Sequence, residues 1–160
     1  MANMPMTGLT EDCSVTDDGE DRYEAGSAAW VSALSRYAET AVSGKIIDDN
    51  FTFCAEYTDP PPHLVRRDGR SALGYVVQIK DGRLSVFDGV RHDVDYRVTA
   101  AYDPVALNYS LRGDGFLKWV TEHGPRLIQE GKLVMTGDQS VSRRLPKFLD
   151  LADFYAKHTR

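Results

Sequence analysis

Histidine, aspartate, cysteine and tyrosine are the side chains here that could do chemistry, and their spacing decides of what kind. The four histidines, His63, His92, His123 and His158, stand far apart with no HxxxH pair, and Cys13 and Cys54 form no CxxC. A zinc site needs ligands that converge, so neither a metal nor any other cofactor is expected. The stretch "RHDVD" gathers His92, Asp93 and Asp95. Strand alternation puts the two carboxylates on one face, as solvated charges or as an acid–base pair. There is no GxSxG, no P-loop and no GxGxxG. Cys54 alternates away from Phe51, Phe53 and Tyr57, and nothing in the sequence would activate its thiol. The tyrosines are more suggestive. Tyr37, Tyr57, Tyr75, Tyr96 and Tyr155 fall on faces that read as inward. A buried phenol needs a hydrogen-bond partner. These residues are therefore either core tyrosines or hydroxyls in the wall of an apolar pocket.

The elements that must position them follow from periodicity. "SAAWVSALSRYAETAVSG" is an amphipathic helix with Trp30, Leu34, Tyr37 and Ala41 on one stripe, Ser27 to cap it and Gly44 to close it. "FTFCAEY" switches to period two. "TDPPPHLVRRDGRSA" cannot be a strand interior, because prolines donate nothing to a ladder. It reads as a long loop, 58–72. "LGYVVQIKDGRLSVFDG" is a hairpin turned by Asp81-Gly82. "HDVDYRVTAAY" alternates with Val94, Tyr96, Val98 and Ala100 on one face and Asp93, Asp95, Arg97 and Thr99 on the other. Asp103-Pro104 starts a helix that runs to Gly113. "DGFLKWVTEHG" and "PRLIQEG" read as two further short helical pieces split at Pro125, and "KLVMTG" as the last strand. From Ser140 the apolar residues Val141, Leu145, Phe148, Ala152 and Tyr155 keep helical spacing, broken or restarted at Pro146. Runs of strands followed by helices argue an α+β fold, with helices on one face of a mostly antiparallel sheet.

Composition bounds the function. The chain has 160 residues, 42% hydrophobic, with a formal net charge of -5. That is enough for one domain with a real core, and it lacks the basic surface that nucleic acid requires. No apolar run reaches the roughly eighteen residues of a membrane span, so no integral membrane association is expected. The N-terminal residues have neither the basic start nor the apolar core of a signal peptide. Two thiols and no export signal suit the cytoplasm. Residues 1–26 are acidic and poor in apolar side chains and read as a disordered tail; residues 27–160 read as the domain.

From Asp93 to Phe154 the chain resembles the sterol carrier protein 2-like domain family. "DVDYRVTAAYDPVALNYSLRG", then "LIQEGKLVMTGD", then a helix carry the likeness, and "GKLVMTGD" is its most specific element. The earlier helix, strand and hairpin keep the family's order, so the likeness runs from about Ser27 to Tyr155. It implies a five-stranded sheet covered by helices on one face, with an apolar tunnel between them that holds fatty acyl chains, sterols or other lipids without chemistry. Lys132 to Thr136 would slot beside the hairpin strands, and Gly137-Asp138 would turn the last helix over the cavity. Alternation, resemblance and helical spacing together nominate Phe53, Tyr57, Val77, Ile79, Tyr96, Val98, Leu133, Met135, Phe148 and Tyr155 as the lining. Two other readings stay open. One is a small α+β isomerase or cyclase acting on an apolar substrate, with Tyr96 set against Asp103 or Asp48. The other is an accessory subunit that docks a protein partner through loop 58–72.

Overall fold

The computed structural model describes residues 21–65 and 73–160. Helix α1 spans Ala28–Val42. Five strands follow the expected order: β1 Phe51–Thr58, β2 Leu73–Lys80, β3 Arg83–Asp88, β4 Tyr96–Ala101 and β5 Leu133–Gly137. Between β4 and β5 lie a short helix α2, Tyr102–Val105, and the long helix α3, Gly115–Gln129. After β5 come α4, Val141–Arg144, and α5, Leu151–His158. The chain has an α+β fold.

The strands form one sheet in the order β3-β2-β1-β4-β5. Three neighbouring pairs are antiparallel, and β1 with β4 is parallel. The Asp81-Gly82 turn has positive φ at both residues, 53° and 77°, as a tight hairpin of this twist requires. The last strand does not lie beside the hairpin. It pairs with β4, at the opposite edge, because β1 and β4 occupy the positions between them.

One sheet face carries Phe51, Phe53, Ala55 and Tyr57 of β1, Tyr75, Val77 and Ile79 of β2, and Tyr96, Val98 and Ala100 of β4 in register. The helices pack on this face. Trp30 of α1 is fully buried at the centre, with its ring edge-on to Tyr75 and Phe154 and stacked with Tyr155 and Tyr109. Its indole N–H donates to the buried Thr159 hydroxyl at 2.9 Å. A ring that large brings an apolar gain, and its single donor is satisfied inside.

The other face is crossed by residues 89–95, which connect β3 to β4. The crossing holds neither helix nor strand and bends at Gly89 and again through 92–95. It is pinned at both ends: Gly89 N–H donates to Gly74 O at 3.0 Å, and Asp95 N–H to Thr52 O at 3.1 Å. Between them Arg91 donates to Gln78 at 3.3 Å. Beneath this strap Cys54 and Val76, cross-strand partners on the face opposite Phe53 and Val77, are buried. Cys54 is a free thiol, and burial pushes it above its ordinary range. The strap also shortens β4: the strand begins at Tyr96, and Asp93 and Val94 belong to the crossing.

Three local readings change. The helix expected from Asp103 to Gly113 is broken, since Asp103 is extended (φ -103°, ψ 118°) and Ala106–Asn108 forms a 3₁₀ turn. In contrast, α3 runs unbroken through Pro125, because Phe116, Val120 and Leu127 form one stripe against the core and the last turn is held by that packing. The segment after β5 restarts at Leu151 behind an Asp150 cap, whose carboxylate accepts Asp153 N–H at 3.1 Å.

At the N-terminal end, residues 1–20 of the expected tail lie outside the described residues. Residues 21–26 are packed on the domain. Tyr23 N–H donates to His158 O at 2.8 Å, Arg160 N–H to Tyr23 O at 3.0 Å, and the Tyr102 hydroxyl to Ala25 O at 2.8 Å. Ala25 is 2% exposed, so the packed domain begins earlier than the boundary at Gly26. Composition averaged over the whole acidic stretch hides this short strip of backbone pairing.

Candidate functional site

A cavity of about 360 Å³ lies between the helix-bearing sheet face and the segment that follows β5. Its floor is Phe53 on β1 with Tyr96 and Val98 on β4, brought together because Phe53 pairs with Tyr96 across the parallel ladder. Phe116 and Leu117 at the start of α3 form one side. The remaining wall is the stretch from Val141 to Tyr155.

That wall is folded by local rules. Gly137 has φ 102°, and a Cβ there would strike the Asp95 carbonyl oxygen, so only glycine lets the chain leave β5 at this angle. Asp138 then accepts Ser140 N–H at 2.9 Å, and this hydrogen bonding holds its carboxyl below the usual range. A 3₁₀ turn at Leu145–Lys147, opened by Pro146, keeps Leu145 and Leu149 pointing inward, 5% and 1% exposed. Arg144 fastens the wall to the residues before β1. Its guanidinium forks onto Asp49 at 2.7 and 2.9 Å and lies 5.1 Å over the Phe51 ring. The Arg144 hydrogen bonds lower the Asp49 carboxyl below its ordinary value.

The nominated lining residues divide into two sets. Phe53, Tyr96, Val98 and Tyr155 are brought together at the cavity. The others lie outside it. Val77 and Ile79 are on the same sheet face but are buried in the core on β2, one strand further from the cavity than β1. Tyr57 is buried deeper along β1, against Tyr102 and Tyr109. Leu133 sits opposite Ala100, and Met135, 37% exposed, opposite Val98 on the outer edge of the sheet. Phe148 is half-buried against the core and lies outside the lining, where Leu145 and Leu149 stand instead. The sequence reading passed over Phe116, Leu117, Leu145 and Leu149. The i, i+4 spacing of Val141, Leu145 and Leu149 was the signal that could have found the wall; Phe116 needed the register of α3.

Behind the cavity four phenols gather. Tyr57 and Tyr109 share a hydrogen bond of 2.9 Å, and Tyr75 and Tyr155 share another. The rings of Tyr109 and Tyr155 stack at 3.8 Å. Burial pushes the hydroxyls of Tyr57, Tyr75 and Tyr109 well above their ordinary value, and that of Tyr155 upward too. Each hydroxyl is satisfied by another, which is how polar atoms are accommodated in an apolar interior. Tyr109 was missed as part of this cluster because the helix expected around it does not form.

The acid–base alternatives find no geometric support. Tyr96 begins β4 and Asp103 follows its end, roughly 20 Å along a strand. Asp48 is exposed ahead of β1. Asp95 accepts Thr52 N–H at 2.8 Å and so ties the strap down. Among the described residues no three of His, Cys, Asp or Glu come together as metal ligands, and no helix is long and apolar enough to cross a membrane. Loop 58–72 is described only as far as residue 65. There Pro62–Leu64 forms a 3₁₀ turn, and His63 meets Glu24 at 2.7 Å.

No known family profile matches the chain, and no curated protein matches it. Solved structures do. The sterol carrier protein domain 2 of Helicoverpa armigera matches at 14% identity and TM-score 0.48, over 82% of this chain and 89% of that one. A palmitated sterol carrier protein 2-like protein of Aedes aegypti matches at 15% identity and TM-score 0.39, over 84% of this chain and 98% of that one. A sec-alkylsulfatase from Pseudomonas sp. matches at 15% identity and TM-score 0.37, over 76% of this chain but 16% of that one. These are likenesses of architecture.

Proposed function

We propose that this chain is a non-enzymatic carrier that holds an apolar small molecule, a fatty acyl chain, sterol or related lipid, between its sheet and its C-terminal segment. The observation that carries this reading is the cavity itself. It is lined almost wholly by aliphatic and aromatic side chains drawn from four separate parts of the chain. Its volume of about 360 Å³ lies within the range of ligand pockets. The resemblance of 93–154 to sterol carrier protein 2-like domains supports the same reading. The groups that could act as acids or bases in the lining are two phenols and the Asp150 carboxylate, and Asp150 is engaged as a helix cap. Burying apolar ligand surface supplies the affinity, at roughly 25 cal/mol per Å². The buried free thiol of Cys54 supports a reducing compartment, and we assign the carrier to the cytoplasm.

The test has two parts. Native mass spectrometry of the protein purified from cells should reveal a co-purifying lipid. Thermal melts against a panel of fatty acids, sterols and isoprenoids should show a rise of several degrees, since saturation at a hundredfold excess over Kd adds roughly 2.7 kcal/mol. A panel without any shift, and a purified protein without cargo, would overturn the carrier reading.

A further inference from the structure

Four residues of the cavity lining carry polar side chains: Tyr96, Ser142, Asp150 and Tyr155. Three are engaged within the protein. Ser142 Oγ–H donates to Gln139 O at 2.7 Å. The Tyr155 hydroxyl is hydrogen-bonded to that of Tyr75. Asp150 Oδ1 accepts Asp153 N–H at 3.1 Å. Tyr96 differs. The residue is 5% exposed, yet its hydroxyl has no hydrogen-bond partner among the described residues. Its ring is held in place by stacking on Phe53, with centroids 6.0 Å apart and planes 25° from parallel. Buried polar groups in native proteins are nearly always paired. A fixed ring with an unmet donor in the wall of an apolar cavity leaves its acceptor to come from the occupant.

The charge of the lining narrows that occupant. No Lys, Arg or His is among the lining residues, and the one charged group is the Asp150 carboxylate. A free carboxylate drawn in here would lose its hydration without gaining a cation, beside a charge of the same sign. A hydroxyl, ketone or ester oxygen accepts a hydrogen bond at much smaller desolvation cost. We propose that the cavity selects an apolar molecule bearing one neutral acceptor oxygen, set against the Tyr96 O–H, over the free carboxylate of the same chain length. This rests on the carrier reading and names the ligand class for it.

Three probes of one chain length separate the possibilities: undecane, methyl nonyl ketone and undecanoate. Each is titrated calorimetrically into the full chain and into Tyr96→Phe near neutral pH. Phenylalanine keeps the ring and its stacking and removes only the oxygen. The parent should bind the ketone about tenfold more tightly than undecane, as one added hydrogen bond to a buried donor allows, and more tightly than undecanoate. In Tyr96→Phe the ketone should lose its advantage over undecane, and a melt as cooperative as the parent's reports that the variant is folded. Undecanoate binding the parent as well as the ketone, or Tyr96→Phe keeping the ketone preference, overturns the selectivity and leaves the carrier reading in place. If the folded parent binds none of the three, both fall together.

Discussion

Tyr57, Tyr75, Tyr109 and Tyr155 carry their hydroxyls inside the core, and the consequence is written in alkali. In the unfolded chain a phenol ionises near pH 10. In the folded chain burial holds these four above that value. The folded state therefore keeps protons that the unfolded state loses, and the stabilisation is complete below pH 10 and falls above it. Each buried phenol should remove about 1.4 kcal/mol per pH unit in that range. Phenolate absorbance should lag behind the count of tyrosines and then rise in one step with unfolding. A gradual titration of all eight, with the fold intact, would contradict the buried arrangement. Gly137 is a second residue with a defined demand. Valine there meets both a positive φ and the Asp95 carbonyl, so Gly137→Val should cost about 1–3 kcal/mol or more in urea unfolding. This glycine was legible from sequence, because a strand must turn into a capped segment within two residues. The Tyr57–Tyr109 pairing was not, because it depends on where a broken helix places one ring.

The elements divide along the same line. Strand alternation and the Asp81-Gly82 hairpin were readable because their signals are local: period two, and a dipeptide that accepts positive φ twice. What escaped was set by tertiary packing. Pro125 is a breaker by its own chemistry, yet Leu127 beyond it is 5% exposed and holds the last turn of α3 in place. The position of β5 beside β4, not beside the hairpin, is a matter of sheet order that no local pattern encodes. Four of the ten nominated lining residues reach the cavity, and Val77 and Ile79 miss it because one sheet face serves both the cavity and the core. The wall after β5 is a series of short turns and depends on its caps. Asp150→Ala should lower stability by about 0.5–2 kcal/mol, and Asp150→Asn by less, since asparagine can still accept Asp153 N–H. Equal melting of parent and both variants would show that the cap contributes nothing.

On the scale of the whole molecule the first described residues meet the last ones. Residues 21–26 run beside the last residues through backbone bonds of Tyr23 to His158 and Arg160, and Arg22 donates to Ala156 O at 2.8 Å. A chain beginning at Ser27 should melt several degrees below one beginning at Asp21, because it loses these bonds and the buried Ala25 and leaves the Tyr102 hydroxyl without its acceptor. Identical melting of the two would show the strip to be ornamental. The opposite face offers a different kind of measurement. Cys54 lies beneath the 89–95 strap, and only a thiolate reached by solvent reacts. In a Cys13→Ser variant, Cys54 is the sole thiol. A coloured disulfide reagent added to it should therefore act as a clock. At saturating reagent the rate would cease to depend on concentration and would equal the frequency with which that crossing lifts from the sheet. Denaturant too dilute to unfold the protein would then separate a small local opening, whose rate it barely changes, from global unfolding, whose rate climbs steeply.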